Sequence, residues 1–436
     1  MTDSHSTAKP RILVAIDVAK AKHDVLVELP GAGRKKMIVR NQRDEFQRLV
    51  AYLKSLGGTC EIALEPTADY HRCLAYFLGS NGFAVRIVSS IAVARTREAL
   101  HNSWDKNDPK DAQVILHLLR NHTTQRFYDP VIEQTNDLQE LSKTHHQVSL
   151  RKTRLQHSLM NHYLPLYFPE AERFLCTTRA GWFARLLIAF PTPASVTELS
   201  EVEFVVTAAG LLRTKHSKES VLRSFYAKAK ESVGIPVTLD SQAVATFRLL
   251  LNEHLELCRK REELERTAHE LLKERMDYQI LRSVPGIGPI IALTVLAEAG
   301  DLRRFGHERQ FLKFCGLDLS TAQSGAYRGR SLLSKRGNSR LRAALWMAAT
   351  IASRMRENTL RKKFDRYVQS DPVNADLKRK AYTACAAKMA RTVYGLIKHQ
   401  QHYRAYHEDA VPLPDGRTRS HGPSRHAAEQ SVAVTS

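Results

Sequence analysis

RILVAIDV (Arg11–Val18) is a run of eight residues that is apolar between its first residue and a single acid, Asp17, next to its end. A run this short and continuous reads as a strand buried on both faces. A carboxylate inside it calls for a reason, because a buried unpaired charge is costly. Downstream, His23–Leu29 alternates, Gly31-Ala32-Gly33 turns the chain and Lys36–Val39 alternates again, so three consecutive strands are predicted. Phe46, Leu49, Val50 and Leu53 then recur at helical spacing within residues 42–56. Glu61–Leu64 reads as a fourth strand, Arg72–Leu78 as a helix, Ala84–Val88 as a fifth strand and residues 110–121 as another helix.

Three strands in succession, then helices alternating with strands, is a ribonuclease H-like layout with a mixed sheet. In that layout the first and fourth strands are parallel neighbours. Asp17, near the end of one, and Glu65, just past the end of the other, then converge. Glu65 precedes Pro66 and has the alternative of simply ending a strand. Asp108 and Asp111 lie three apart on one face at the start of the next helix, with Pro109 suited to its first turn. Asp105 with Asp108 has the same spacing, and the residues alone do not choose between the two registers. Four carboxylates from three elements repel one another without a cation. Hard oxygen ligands of this kind suit Mg²⁺ or Mn²⁺, and two such ions stabilise both the attacking and the leaving oxygen of a phosphodiester. Asp24 and Asp69 read as surface or turn residues.

The 436 residues suggest two or three domains. Apolar residues make up 43%, which excludes global disorder, and no stretch is apolar for long enough to span a bilayer. The first ten residues hold no apolar signal-like segment, so a cytoplasmic, nucleoid-associated protein is expected. Cys60, Cys73, Cys176, Cys258, Cys315 and Cys385 lie far apart with no CxxC pair, which reads as reduced core thiols. Val131–Tyr163 lacks proline and glycine and predicts a long helix. A second spans Ser241–Met276, where Leu250, Leu257, Leu264 and Leu271 recur every seven residues. The intervening positions Phe247, His254, Arg261 and Ala268 make a poor seam, so a weak coiled coil and an ordinary packing face both fit. His145-His146 reads as part of a solvated helix face. The tail at 408–436 is too polar to pack and is expected to be disordered.

Charge is uneven along the chain. The net charge is +21, and residues 276–436 hold 27 basic against 13 acidic side chains. Such a surface suits a polyanion, because Lys and Arg displace counterions condensed on phosphates. Within this stretch Pro285-Gly286-Ile287-Gly288 lies between two apolar helices like a helix-hairpin-helix turn, whose amides can hold a phosphate. Packing alone is the alternative use of such a turn. Leu332–Asn338 combines Lys335, Arg336 and the small, flexible Gly337, and reads as a phosphate contact.

These segments resemble the IS110 family of insertion-sequence transposases. AIDVAKAKHDV, ALEPTADY and KNDPKDAQVI are similar to its RuvC-like DEDD domain. SVPGIGPIIALTVLAEAGDLRRF, FCGLDLSTAQSG and SKRGNSRLRAALWMAA are similar to its C-terminal transposase domain. The family pattern matches Lys106-Asn107-Asp108-Pro109-Lys110-Asp111-Ala112, which selects Asp108 and Asp111; Asn107 stands where threonine is usual. The resemblance implies a RuvC-like domain over 11–126, a helical linker or coiled coil over 127–276, a mainly helical transposase domain over 277–365 and C-terminal helices over 366–407. It further implies that Ser324, in Ala322-Gln323-Ser324-Gly325, is a nucleophile forming a phosphoserine link to DNA. Arg328, Arg330, Lys335 and Arg336 would hold the phosphate, and Asp17, Glu65, Asp108 and Asp111 would hold Mg²⁺. DNA at the element ends and target, an element-encoded structured bridge RNA and a homodimer or homotetramer with a composite active site are the implied partners. Two rivals remain on the residues alone: a metal-dependent nuclease or junction resolvase that uses water, and a decayed transposase that only binds nucleic acid.

Overall fold

The computed structural model describes residues 10–101, 108–174, 181–212, 219–321, 323–324, 327–329, 331–356 and 358–404. The expected tail, Arg330, Cys176 and the motif residues before Asp108 lie outside the described residues. The chain divides into two compact units, Met1–Glu140 and Leu141–Ser436.

The first unit is an α/β fold built on a six-stranded mixed sheet in the order β3-β2-β1-β4-β5-β6. Its strands are β1 (Arg11–Val18), β2 (Lys22–Leu29), β3 (Ala32–Arg40), β4 (Thr59–Leu64), β5 (Ala84–Ile87) and β6 (Gln125–Arg126). β1, β2 and β3 are antiparallel in sequence, β4 and β5 run parallel to β1, and β6 returns antiparallel. This is the ribonuclease H-like arrangement that the element order predicted. The continuous apolar run of β1 has its physical reason here, since both faces of the strand are covered. Ile12, Val14, Ile16 and Val18 pack with Phe46, Leu49 and Leu53 of α1 (Arg43–Ser55) and with Leu74 and Leu78 of α2 (His71–Ser80). Leu13 and Ala15 face the other way, into a core shared with Val93 of α3 (Ser90–His101) and Val114, Ile115 and Leu118 of α4 (Asp108–Arg120). Asp17 continues the Leu13–Ala15 series and so stands on the face that carries α4.

The second unit is helical apart from two short ribbons. The first long helix, α5, runs Asn136–Ser158 and ends in a wider turn over Leu159–Tyr163. It starts five residues later than the sequence suggests, because Asp129 and Pro130 organise a turn in which Asp129 accepts from the amides of Val131 and Ile132. The second long helix, α6 (Gln242–Leu272), buries Val244, Phe247, Leu251, Leu257, Ala268 and Leu272. Of the heptad leucines only Leu257 is buried, and Leu271 is 51% exposed. The face follows the 3.6-residue period of a packed helix, and its upper half lies in a core with Phe168, Phe204 and Phe225. His145 on α5 is buried, at 8% exposure, which corrects the expectation of a solvated pair. Cys60, Cys315 and Cys385 are buried free thiols as expected, whereas Cys73 is exposed.

Beyond α6, α7 (Met276–Ser283), α8 (Pro289–Ala299), α9 (Glu308–Cys315), α10 (Ser339–Ala352), α11 (Thr359–Val368) and α12 (Ala375–Lys398) follow in order. Leu293 and Val295 of α8, Leu345 and Ala349 of α10 and Cys385 and Met389 of α12 are fully buried. Between α9 and α10 the chain makes β7 (Leu319–Ser320), β8 (Gln323–Ser324), β9 (Tyr327–Arg328) and β10 (Leu332–Leu333). β7 pairs with β10 and β8 with β9, both antiparallel, so the segment is a narrow ribbon.

Candidate active site

β1 and β4 are parallel, with Ile16 opposite Leu64. Asp17 and, just past the end of β4, Glu65 follow this pair, so the two residues leave neighbouring strand ends about 5 Å apart by strand spacing. Both are half-buried. Both line one cleft of ≈ 390 Å³, together with Lys20, Thr67, Tyr70, Ser90 and Arg97.

Asp111 is brought to the same neighbourhood by α4, which packs on β1. Its exposure is 1%, and it does not line the cleft. Arg97 of α3 stands at both places: it lines the cleft, and its Nε donates to Asp111 Oδ1 at 2.5 Å. The side chains of the pair are 14% and 2% exposed, so this is a buried ion pair. Asp108 is the first residue of α4, as the spacing predicted, and its side chain lies outside the described residues. Of the four acids expected to converge, Asp17 and Glu65 share the cleft, while Asp111 meets a guanidinium. Among the described residues no three His, Cys, Asp or Glu side chains are grouped to hold an ion. Two carboxylates in one cleft nevertheless fit Mg²⁺, which keeps several waters and takes one or two protein carboxylates plus substrate phosphates.

Two residues escaped the sequence reading. Asp24 sits directly opposite Asp17 across β1 and β2. It is half-buried on the same sheet face, which corrects its reading as a surface or turn residue. The turn between β1 and β2 held the signal, because pairing Val18 with His23 forces Asp17 onto Asp24. On the opposite face His23 is fully buried, with neither ring nitrogen hydrogen-bonded. Burial pushes its pKa below the usual histidine range, and the nearby Asp24 only partly opposes this. Arg97 was missed with its whole helix.

In the second unit Ser324 is exposed on β8, opposite Tyr327 of β9. The base of the ribbon is held from both sides. Ser334 Oγ donates to Asp318 Oδ1, Thr321 and Ser331 hydroxyls meet at 2.9 Å, and Arg342 Nη1 donates to the carbonyls of Cys315 and Lys335 at 3.2 Å. A Cβ on Gly337 would lie 2.5 Å from the carbonyl oxygen of Phe314. Asn338 caps α10 through the amide of Leu341 at 2.9 Å and donates to Glu298 at 2.6 Å. The segment Leu332–Asn338 is therefore a buttress for the ribbon, from which Lys335 and Arg336 emerge into solvent. Arg328 faces Gln323 in the ribbon register; its side chain lies outside the described residues.

The two glycines of the α7–α8 turn differ. Gly286 has φ +86°, and a Cβ there would lie 2.2 Å from the carbonyl oxygen of Ala348. Its lack of a side chain is explained by close approach to α10. Gly288 is the N-cap of α8 and has room for a Cβ, the nearest atom being Arg282 Nη1 at 3.9 Å. It lines a cavity of ≈ 790 Å³ with Lys152, Arg261 and Arg340. That cavity contains none of the predicted catalytic residues.

Known families match this arrangement in two places. A DEDD transposase family of the IS110 type matches residues 14–169, and the family described as "Transposase IS116/IS110/IS902 family" matches residues 278–365, together more than half of the chain. The chain belongs to the IS110 family of insertion-sequence transposases. A protein of Streptomyces coelicolor, named "Mini-circle putative transposase for IS117", is 26% identical to this transposase over 366 residues, 78% of this chain and 84% of that one. The transposase for insertion sequence element IS1111A of Coxiella burnetii is 28% identical over 209 residues, 47% of this chain and 55% of that one. Among solved structures, RuvC of T. thermophilus in complex with a Holliday junction substrate aligns over 27% of this chain and 99% of its own. Its identity is 14% and its TM-score 0.19, values at which the likeness decides nothing. Among the described residues no helix is long and apolar enough to cross a membrane.

Proposed function

We propose that this transposase cuts and rejoins DNA at the ends of its element with Ser324 as nucleophile and the Asp17–Glu65 cleft as the divalent-ion site. The observation that carries the reading is the convergence of Asp17 and Glu65 in one cleft at the ends of parallel β1 and β4. Mg²⁺ or Mn²⁺ bound there would polarise a phosphodiester oxygen and stabilise the leaving one. Asp17 and Glu65 orient that site from a sheet whose two faces are both packed, and Asp108 and Asp111 complete the acid set.

Ser324 Oγ is exposed and so open to a phosphodiester. Its attack forms an Oγ–P bond while the bond from phosphorus to one sugar oxygen breaks. The serine proton leaves to base or water, and the departing sugar oxygen takes one up. The bond energy is held in the phosphoserine, and attack by the hydroxyl of another strand reseals DNA and frees Ser324. No histidine stands beside Ser324 in sequence, so the reaction depends on stabilising the leaving group and on the cations Arg328, Arg330, Lys335 and Arg336. The C-terminal excess of basic residues tracks the backbone, and pairing to a structured bridge RNA supplies sequence choice, as the family resemblance implies. Gly288 caps α8 without a side-chain cap at that end, so amides of its first turn would meet a phosphate there.

The test is a denaturing gel of cleavage products. Wild-type protein with Mg²⁺ should give protein-linked DNA. Ser324→Ala should fold, bind DNA and lose the adduct, and Asp17→Asn should lose cleavage, as should treatment with chelator. Free cut ends from Ser324→Ala would make water the attacking group. Full activity in chelator would remove the ion site.

A further inference from the structure

Arg97 stands at two places at once. It lines the cleft that holds Asp17 and Glu65, and it also closes a 2.5 Å hydrogen bond on Asp111, whose carboxylate is otherwise shut away from that cleft. A buried carboxylate cannot remain ionised without a counter-cation. The cation that meets Asp111 is Arg97.

We infer that Arg97 is a positioning residue that stands in for the divalent ion, holding Asp111 until an ion in the cleft displaces it. This rests on the reading of the cleft as an ion site. The guanidinium and a divalent ion compete for one carboxylate. Arg97 holds the acid and keeps α3 and α4 in register until substrate arrives. When Asp111 turns to an ion, the guanidinium is released at the wall of the cleft beside Ser90 and Lys20. There it becomes a donor for a phosphate oxygen, the group whose arrival accompanies the ion. No bond is made or broken in this exchange; one cation replaces another at a single carboxylate. The competition also sets ion affinity, because an ion that needs Asp111 binds only the fraction of molecules in which Arg97 has let go.

The experiment uses the full chain and Mn²⁺ alone as the probe, read by calorimetric titration and by the melting temperature in chelator and in saturating Mn²⁺. Arg97→Gln strands the Asp111 charge, so its melting temperature in chelator should fall on the order of 10 °C. Saturating Mn²⁺ should recover most of that loss, and Mn²⁺ affinity should rise about tenfold if wild-type Asp111 is free in about a tenth of molecules. Arg97→Lys, which keeps the charge, should melt close to wild type in chelator. The double variant Arg97→Gln with Asp111→Asn removes both charges; it should fold without Mn²⁺ and show no gain in affinity. A loss of stability that is equal in chelator and in Mn²⁺, with wild-type affinity, would make Arg97 a structural partner only and overturn the inference. So would a double variant that fails to fold. Failure of the ion site itself looks different: wild type would bind no Mn²⁺, or Asp17→Asn would leave its affinity unchanged.

Discussion

Gly286→Ala separates the packing use of the α7–α8 turn from a phosphate-binding use. The glycine has φ +86°, and an added Cβ would sit 2.2 Å from the Ala348 carbonyl oxygen, 2.9 Å from the Ala352 nitrogen and 3.1 Å from the Ala352 Cβ. All three are α10 backbone or Cβ atoms, so no flexible side chain can swing aside. The turn must retreat by about 1 Å to reach ordinary contact, opening an apposition in which Ala292, Val295, Leu345, Ala348 and Ala352 are fully buried. Left-handed backbone for a residue with a Cβ costs roughly 1–2 kcal/mol and overpacking roughly 1–3 kcal/mol, so a loss of about 2–5 kcal/mol is expected. Urea unfolding of the full chain, followed by far-UV circular dichroism, should show the C-terminal transition about 1–2 M earlier. Gly288→Ala is the matched control: its Cβ would meet only the end of the flexible Arg282 arm at 3.9 Å. Its stability should stay within about 0.5 kcal/mol of wild type while affinity for nucleic acid falls. An unshifted midpoint for Gly286→Ala, or an equal shift for Gly288→Ala, would refute the division of labour between the two glycines.

Affinity for nucleic acid should fall roughly 10³–10⁵ between about 50 and 200 mM salt if six to ten phosphates are contacted, as titration by fluorescence anisotropy would show; a flat profile would contradict a phosphate-tracking surface. His23→Leu should raise the stability of the N-terminal unit by about 1 kcal/mol, because it removes two buried ring nitrogens without hydrogen bonds. The histidine pKa is lowered in the folded state, so above the unfolded value of about 6.5 both states are neutral and no linkage arises. As pH falls from there towards the folded value, the unfolded state takes up the proton first and stability is lost. Melting between pH 7 and 5 should therefore decline less steeply in His23→Leu than in wild type, and parallel curves would show that His23 is not the source.

The sequence made legible what repeats along it. β1 was readable to the residue, and α1 was readable through Phe46, Leu49, Val50 and Leu53, because each has a dense apolar pattern and a packed partner. α3 was invisible for the opposite reason: among its described side chains Val93 is the one large side chain deeply buried, and Ile91 and Leu100 are 51% and 46% exposed. A helix held by so little leaves no period to find, yet it delivers Arg97 to the acids. The leucine heptad of α6 misled because residues seven apart drift around a straight helix, and no partner helix rewound it to a 3.5-residue seam. Asp24 was missed because a strand's alternation shows which residues share a face but not which residue stands across from them.

The same contrast governs the proposed catalytic groups. Asp17 and Glu65 extend from strands buried on both faces, where the surrounding core fixes their backbone before any substrate arrives. Ser324 is carried on a ribbon of two-residue strands with Leu319 and Leu332 69% and 65% exposed, a structure that is marginal by its own pairing. What holds it is the buttress below: Asp318 with Ser334, Arg342 on the two carbonyls, and Gly337 pressed against Phe314. That explains why a motif of lysine, arginine, glycine and asparagine lies ten or so residues past the serine rather than beside it. On the proposed reading, a nucleophile that must reach DNA and then return a strand needs exposure and reach, while ion-holding acids need fixed geometry. The chain meets both demands by placing the acids in a sheet and the serine on a braced ribbon.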